Sequence, residues 1–334
     1  MNFNILLVLL LHIFASLAEV NQTTLTQKWT AFKQSYKMRS FHPKEENIRR
    51  TIFQKRLQKI EEHNERYRKG LETYQMAVNR FATFTDKELL AYTGGLKLSS
   101  KNLTSESYIL ANFSKVAKVS LPSSVDWREL GKVTPVKDQG ACGSCWAFSV
   151  IGAIEAHYSI SYDLNVSLSE QQLLDCAREC DGCWGGYLDA AYDYIINSGG
   201  VSYDSDYPYQ AIDHCCQYVD EFKPKVAIQN YSYLWPYEQV LQYYVATHGP
   251  VSVAIDVEDD FVYYSGGVYY NEWCSDYWLN HAVVVVGYGT ENGQDYWLVK
   301  NSWGSDWGVD GYIKMARNRD NNCGIASSAL VPVL

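Results

Sequence analysis

A cysteine at the start of a predicted helix is the residue of this chain best suited to nucleophilic chemistry. The segment from Gln139 to Ser149 reads Q-G-A-C-G-S-C-W-A-F-S, and Cys145 stands where a long apolar stretch begins. An ordinary thiol has a pKa of about 8.5, so a cysteine becomes reactive at neutral pH only in a positive potential. A helix N-terminus and a nearby imidazolium both supply such a potential. The pattern predicts a Cys145 thiolate paired with the imidazole of His281.

Two motifs far downstream supply the partners that such a thiolate needs. His281 opens the apolar run H-A-V-V-V-V-G, and Asn301 lies in K-N-S-W-G. A lone histidine beside a strand is usually structural, but the upstream cysteine and the downstream amide favour a catalytic role. We expect Asn301 to orient the imidazole and Trp303 to shield that hydrogen bond from water. Gln139 and the Cys145 N–H are expected to stabilise an oxyanion.

These motifs, and a second set near the N-terminus, resemble those of one enzyme family. C-G-S-C-W with a distant His and Asn is the signature of papain and the cathepsins. The spacing E-x3-R-x3-F-x6-I-x3-N is similar to the helical motif of cathepsin L-like propeptides, and it is carried by Glu45, Arg49, Phe53, Ile60 and Asn64. Arg56 stands where that motif usually has Asn. The chain therefore resembles a cathepsin L-like zymogen of the papain family.

The resemblance implies both a fold and a function. The fold would be α+β, with a helical left domain and a β-barrel-like right domain on either side of the active-site cleft, preceded by a helical propeptide. The function would be that of a cysteine endopeptidase made as an inhibited precursor. Residues 19–120 contain no cysteine that could tether a minichain, and the peptidase segment has no room for a long occluding insertion, so an exopeptidase is not expected. The alternative is a catalytically silent relative, or an inhibitor-like binding protein acting through its propeptide.

Three successive segments are expected along the chain. Residues 1–18 are predicted to be a signal peptide, because an apolar run is followed by small residues. A membrane anchor would need about 20 apolar residues, and no run of that length follows. By the resemblance, residues 19–120 form the inhibitory propeptide and residues 121–334 the papain-like peptidase domain. Its helical half would be about 121–230 and its β-rich half about 231–334.

Local patterns predict the main elements of the peptidase segment. Apolar periodicity and capping residues predict helices at Ser144–Tyr162, Glu170–Cys176 and Leu188–Ile196. Ser144 is expected to cap the first of these helices and Ser169 the second. Runs of β-branched and aromatic residues between turn residues predict strands at Val251–Ile255, Val283–Val286, Tyr296–Val299 and Tyr312–Met315. Helices followed by strands favour an α+β enzyme with its cleft between the two halves.

Charge separates the two large segments. Residues 19–120 carry 19 Lys and Arg against 10 Asp and Glu, a net of +9, whereas residues 121–334 carry 10 against 28, a net of −18. An acidic peptidase domain makes nucleic acid an unfavourable partner. Attraction between the segments should fade near pH 4, where carboxylates begin to take up protons. This release does not need the acidic residue of the family's G-x-N-x-F-x-D element, whose position Thr83 occupies in this chain.

The cysteine count predicts a disulfide-bonded domain with a free thiol. All nine cysteines lie in the peptidase segment, and the odd number leaves at least one unpaired, for which Cys145 is the candidate. By resemblance the expected bridges are Cys142–Cys183, Cys176–Cys216 and Cys274–Cys323. Cys180 and Cys215 remain, and we infer a fourth bridge between them, with the swapped pairing to Cys176 and Cys216 left open. Each C-x-x-C also fits a zinc site or a redox pair, but a secretory chain favours disulfides. No metal or cofactor is expected.

The resemblance also assigns a substrate-binding surface. Gly143, Gly185 and Gly186 match glycines against which the family lays substrate backbone, an approach that Cβ atoms would block. The walls and floor of the main pocket would be Tyr187, Leu188, Ala254, Leu279, Ala282 and Ser328. These residues are mostly apolar, which suggests Leu, Phe or Val at P2, the second residue before the cut. Ordinary core packing is the alternative for each of them.

The expected route and partners follow from the same features. Five N-x-[ST] sequons at Asn21, Asn102, Asn112, Asn165 and Asn230 fit a secretory route, ending in the lysosome or outside the cell. Partners would be protein and peptide substrates, the chain's own propeptide and cystatin-like inhibitors, with the enzyme a monomer.

Overall fold

The computed structural model describes residues 23–99, 101, 119–217 and 226–334. The predicted signal peptide and the sequons at Asn21, Asn102 and Asn112 lie outside the described residues. The side chains of Asn165 and Asn230 are exposed, as a glycosylated asparagine must be.

Two crossing helices form the core of the N-terminal segment. The first, α1, covers residues 23–35, and the second, α2, covers Pro43–Arg68. The rings of Trp29 and Phe32 in α1 lie 5.3 and 4.9 Å from the ring of Phe53 in α2. All three side chains are buried. The helices cross here because the crossing removes a large aromatic area from water.

A polar network links α2 to the next helix of the N-terminal segment. The guanidinium of Arg49 donates to both carboxylate oxygens of Glu88 and to the Thr83 carbonyl at 3.0 Å. Glu88 belongs to α3, Asp86–Thr93, whose start is a capping box in which Thr85 and Glu88 satisfy each other's backbone N–H groups. The carboxylate bound to Arg49 thus comes from Glu88, beyond the motif position that Thr83 occupies.

A short strand joins the N-terminal segment to the rest of the molecule. Strand β1, Tyr74–Met76, is held to α2 by Asn64, which accepts the Met76 N–H at 2.9 Å and donates to the Met76 carbonyl at 2.7 Å. The other edge of β1 pairs antiparallel with β5, Tyr264–Gly267. The N-terminal segment is therefore bonded to the later part of the chain by backbone as well as side chains.

The helices of the larger domain follow the predicted bounds closely. They are α4, Cys145–Tyr162; α5, Glu170–Cys176; α6, Leu188–Asn197; and α7, Glu238–Thr247. The first three agree with the predicted bounds to within one residue at each end. The Ser169 hydroxyl accepts the Gln172 N–H at 3.0 Å and so caps α5. The expected cap at Ser144 is wrong, because its hydroxyl turns to the Tyr209 hydroxyl 2.7 Å away and makes no cap bond.

One antiparallel sheet forms the second half of this domain. Its strands are β2, Val125–Asp126; β3, Asn230–Tyr233; β4, Val251–Ile255; β6, His281–Glu291; β7, Gln294–Lys300; β8, Tyr312–Ala316; and β9, Ala329–Val333. The order is β3-β9-β4-β6-β7-β8, and β2 pairs with β6. All five residues of β4 are buried, and the Ser149 hydroxyl of α4 donates to the Val283 carbonyl of β6 at 2.7 Å. Helix α4 thus packs directly on the sheet.

Three disulfides are present. They are Cys142–Cys183, Cys176–Cys216 and Cys274–Cys323, the pairs implied by the resemblance. The inferred fourth bridge is wrong, since Cys180 and Cys215 are both free. The Cys180 sulfur is buried, 3.5 Å from the Tyr187 backbone nitrogen, whereas Cys215 is exposed. Cys216, next to Cys215 in the sequence, forms a bridge with Cys176, whereas the free Cys180 side chain is buried in the domain.

Candidate active site

The start of α4 and the start of β6 meet at the site. Cys145 is the first residue of α4, and His281 is the first residue of β6. His281 Nε2 lies 2.9 Å from Asn301 Oδ1. An amide oxygen only accepts, so Nε2 carries the proton and Nδ1 is the basic nitrogen. His281 Nδ1 is buried and has no hydrogen-bond partner among the described residues, which leaves it available to a thiol.

Burial holds both reactive groups in their neutral forms. It raises the pKa of the Cys145 thiol to about 12, although N–H groups of Ala282, Trp146 and Gly95 oppose the shift. It lowers the pKa of His281 to about 4, against the opposing effect of the hydrogen bond that Nε2 donates to Asn301. Both side chains are fully buried. In this closed form, burial therefore favours a thiol and a neutral imidazole over the ion pair.

Gln139 is held beside the cysteine by three hydrogen bonds. Its Nε2 donates to the Cys142 carbonyl at 2.8 Å and to the Tyr92 carbonyl at 3.3 Å. Its Oε1 accepts the Ser302 hydroxyl at 2.6 Å, which fixes the amide orientation. The Tyr92 carbonyl comes from α3, so the N-terminal segment occupies a donor that an oxyanion would use.

An aromatic cluster encloses the histidine. The Trp303 ring lies 5.0 Å from the ring of His281, 5.5 Å from Phe81 and 5.7 Å from Phe261. All four side chains are fully buried. The cluster excludes water from the bond between His281 and Asn301, which strengthens that bond.

An extended stretch of the N-terminal segment runs over the site. Gly186 donates its N–H to the Gly95 carbonyl at 3.0 Å and accepts the Lys97 N–H at 2.8 Å, which makes a parallel bridge with Leu96. The Leu96 N–H donates to the Asn280 carbonyl at 3.2 Å, next to His281. This cleft strand, residues 94–99, covers the cysteine.

Glycines permit the backbones to approach this closely. A Cβ added at Gly95 would lie 2.3 Å from the Gly143 carbonyl oxygen. A Cβ added at Gly185, where φ is +111°, would lie 2.8 Å from the Gly95 carbonyl oxygen. Real Cβ atoms are never that close to backbone, so only bare backbone fits on both sides of the contact.

Most of the predicted pocket residues belong to one buried apolar cluster that also contains a leucine of the cleft strand. Leu96 belongs to one buried apolar cluster with Leu188, Ala254, Leu279 and Ala282, and Tyr187 packs against that cluster. Ala254 and Ala282 are directly opposite each other on β4 and β6. Ser328 is half-buried, and its carbonyl accepts the Ala254 N–H at 2.9 Å.

Three residues that contact the site were missed by sequence reasoning. Ser302 orients Gln139 and also donates its N–H to Asn301 Oδ1 at 2.8 Å. Its place between Asn301 and Trp303 was a usable indication. Tyr92 and Gly95 had none, because each acts through its backbone, which any residue type carries.

Neither a metal centre nor a membrane helix is found in the described part of the chain. No group of three or more His, Cys, Asp or Glu side chains there is arranged to hold a metal ion. None of the helices there is long and apolar enough to cross a bilayer.

Comparisons with known proteins agree with this geometry. Residues 121–333 match the papain family cysteine protease domain, and residues 29–89 match the cathepsin propeptide inhibitor domain. Digestive cysteine proteinase 3 of Homarus americanus is 44% identical over 314 residues, which cover 93% of this chain and 96% of that protein. Cathepsin S of Mus musculus is 42% identical, covering 92% of this chain and 91% of that protein.

A solved structure extends the similarity to the whole precursor. Digestive procathepsin L2 proteinase from Tenebrio molitor larval midgut superposes with a TM-score of 0.88 and 47% identity, covering 93% of this chain and all of that chain. The chain belongs to the papain family of cysteine proteases, as a cathepsin L-like zymogen with its propeptide inhibitor domain.

Proposed function

We propose that the protein is a cysteine endopeptidase in which Cys145 is the nucleophile and His281 the acid–base group. The thiolate sulfur adds to the scissile carbonyl carbon, and the imidazolium gives its proton to the amide nitrogen as the C–N bond breaks. The product is a thioester on Cys145 and a free amine. His281 then takes a proton from water, whose oxygen displaces the sulfur and releases the acid. Asn301 holds the ring, and Gln139 donates to the oxyanion.

The observation that carries this proposal is the state of the His281 ring. Its Nε2 is fixed by Asn301 at 2.9 Å while Nδ1, at the start of β6, has no partner in the described chain. A structural histidine buried in a core uses both nitrogens. A ring held at one nitrogen and open at the other is what a proton carrier beside a thiol requires.

The propeptide is proposed to inhibit by occupying the substrate's place. Its backbone bonds to Gly186, its Tyr92 carbonyl accepts from Gln139, and Leu96 fills the apolar pocket. A substrate with an apolar P2 side chain would use the same pocket, which supports the preference for Leu, Phe or Val. Removing the cover hydrates the site, and the helix N-terminus can then favour the thiolate.

Acid release is proposed to act through ion pairs between the two segments. Arg56, at the motif position that usually holds Asn, donates to both oxygens of Asp259 and contacts Asp86, and Lys59 lies 2.8 Å from Asp259. Lys97 pairs with Asp181 at the cleft. Protonation of such carboxylates removes the attraction while Lys and Arg keep their charge. The pairs support release by general loss of negative charge on the protease domain.

The remaining assignments are proposals of the same kind. The proposed bounds of 19–120 and 121–334 are supported by the two domain matches, at residues 29–89 and 121–333. A signal peptide at 1–18, passage through the secretory route to the lysosome or the outside, and a monomeric enzyme open to cystatin-like inhibitors are proposed from the sequence and the family alone.

Peptide cleavage and a covalent probe test the function together. Acid-treated enzyme should cut a peptide with Leu at P2, and an epoxide probe should label Cys145 and block cleavage. Cys145→Ser should abolish both, whereas Cys215→Ser, which changes an exposed thiol, should keep both. Cleavage that persists in Cys145→Ser would refute the assignment, and neither cleavage nor labelling by the wild type would favour the silent relative.

A further inference from the structure

A pair of acidic side chains lies at the end of the cleft, beyond Gly186. Asp189 is in the first turn of α6, and Asp193 is one turn later. The ammonium of Lys101, from the propeptide, lies 3.1 Å from Asp189 and 2.5 Å from Asp193. We propose that in the released enzyme these two carboxylates form a subsite for a Lys or Arg side chain of the substrate. This inference rests on the proposed endopeptidase function.

The subsite is built from two elements, with Asp189 buried beneath the propeptide and Asp193 partly exposed. Asp189 also accepts the Ser99 hydroxyl at 2.7 Å, and its side chain is only 3% exposed. Burial and a neighbouring carboxylate, Asp189 for Tyr233 and Asp193 for Tyr231, raise the pKa of both tyrosines. Both tyrosines come from β3. Helix α6 and strand β3 therefore form a recess whose oxygens converge on one ammonium.

Departure of the propeptide leaves this recess short of positive charge. Lys101 and Ser99 leave with it, and each tyrosine hydroxyl donates only one hydrogen bond. Like charges four residues apart on a helix repel each other, and the two carboxylates have then lost the cation between them. A substrate ammonium in the position of Lys101 restores the pairing with the same three donors, and a guanidinium can bond the two carboxylates through its planar set of N–H groups.

The recess is in reach of residues that precede the cut. Leu96 marks the pocket for P2, and the cleft strand continues from there past Gly186 to Lys101, away from Cys145. Extended chain covers about 3.3 Å per residue. A substrate lying in the cleft would bring residues three to six before the cut along the same path, so the basic side chain belongs within that span.

The test compares a charged with a neutral isostere. The activated enzyme is given quenched peptides with Leu at P2 and either Lys or norleucine at each of the third to sixth positions before the cut. The wild type should cut the Lys peptide about fivefold faster in kcat/KM at one of these positions, the effect of one partly screened ion pair. In Asp193→Asn, and in the Asp189→Asn, Asp193→Asn double variant, the ratio of Lys to norleucine should fall toward one. Asp206→Asn, which removes an exposed charge elsewhere, should keep the wild-type ratio.

The outcomes separate the two proposals. A wild-type ratio near one at all four positions, with norleucine peptides cut normally, overturns the subsite and leaves the endopeptidase standing. A ratio that survives in the double variant also overturns it. If the wild type cuts no peptide of either series, the endopeptidase proposal itself fails, and the subsite fails with it.

Discussion

The two parts of the propeptide hold the protease domain by different means. The helical part contacts it through the β1–β5 strand pair and through many side chains: Phe81 packs on Trp303, and Arg80 donates to both carboxylate oxygens of Asp138 at 2.6 and 2.9 Å. The cleft strand contacts it through backbone, with hydrogen bonds to Gly186 on both sides of Leu96. Side-chain ion pairs respond to pH and salt, whereas backbone bonds do not. We therefore expect the ion pairs of the helical part to set the pH and salt dependence of release, and the cleft strand to cover Cys145 until release occurs.

The largest effect is expected where the strand touches the domain most closely. Gly95→Ala places a Cβ 2.3 Å from the Gly143 carbonyl oxygen, so the strand must lift. Overpacking of this kind should raise the rate at which an epoxide probe labels Cys145 in the zymogen at pH 7 by about 10- to 100-fold. Gly266→Ala is the matched control, because its Cβ meets nothing nearer than 3.9 Å. Equal labelling of the two variants would mean that the strand does not guard the cysteine.

The next effect concerns the pocket that Leu96 fills. Ser328→Glu should place a carboxylate near the apolar pocket, where it would pair with a guanidinium and penalise Leu. The ratio of kcat/KM for Arg over Leu at P2 should rise about tenfold in the activated enzyme, as expected for a charge-assisted hydrogen bond. The neighbouring variant Ser327→Glu is the control, since the Ser327 hydroxyl is turned to the Asp276 carbonyl. An unchanged ratio in Ser328→Glu would remove Ser328 from the pocket.

A smaller effect is expected from the helical part. Asp259→Asn removes the charge that pairs with Arg56 and Lys59. Labelling of the zymogen at pH 7 and low salt should become about threefold to tenfold faster, as for a partly buried pair. The difference from wild type should vanish in high salt, whereas Asp310→Asn, on an exposed turn, should change nothing. A difference that persists unchanged in high salt contradicts electrostatic attachment.

The helices and strands were predictable from the sequence, because they depend on residues that are neighbours along the chain. Strand β4 was predicted with its full bounds, and the Ser169 cap was correct, since a run of β-branched residues and a capping side chain are local properties. Contacts that join distant segments were not predictable. The Ser144 hydroxyl turns to Tyr209, and the Cys180 sulfur turns into the domain, because tertiary packing directs both side chains.

The candidate site divides in the same way. Cys145, His281 and Asn301 were recognisable because their types and motifs are unusual. The propeptide residues that cover these three were not recognisable. Gly95 and Tyr92 act through their backbone, and their positions follow from the docking of the whole propeptide. Arg56 could be identified as a departure from the family motif, but its partner Asp259 lies about two hundred residues away in the sequence.

The smallest effect is expected at Glu88, where a substitution should leave the pH of activation almost unchanged. Arg49, with Thr85, lowers the pKa of Glu88 to about 2. A lowered pKa means that the stabilisation is present above the ordinary carboxyl value and is lost only as pH falls toward 2, so it is nearly constant between pH 7 and 4. Glu88→Gln should therefore weaken the propeptide at every pH and leave the activation midpoint within about 0.3 pH units. A larger shift in the midpoint would make the Arg49–Glu88 pair the trigger.

The pH profile of Cys145 alkylation tests the central claim most directly. In the zymogen, iodoacetamide should modify Cys145 with a rate that keeps rising above pH 9, because burial raises the pKa of the thiol to about 12. In the activated enzyme the rate should already be high at neutral pH, because hydration and the helix N-terminus favour the thiolate. Peptide mapping in a Cys215→Ser background removes the signal of the exposed thiol. Profiles of the same shape in both forms, differing only in scale, would show that the propeptide merely blocks access and does not hold the pair neutral.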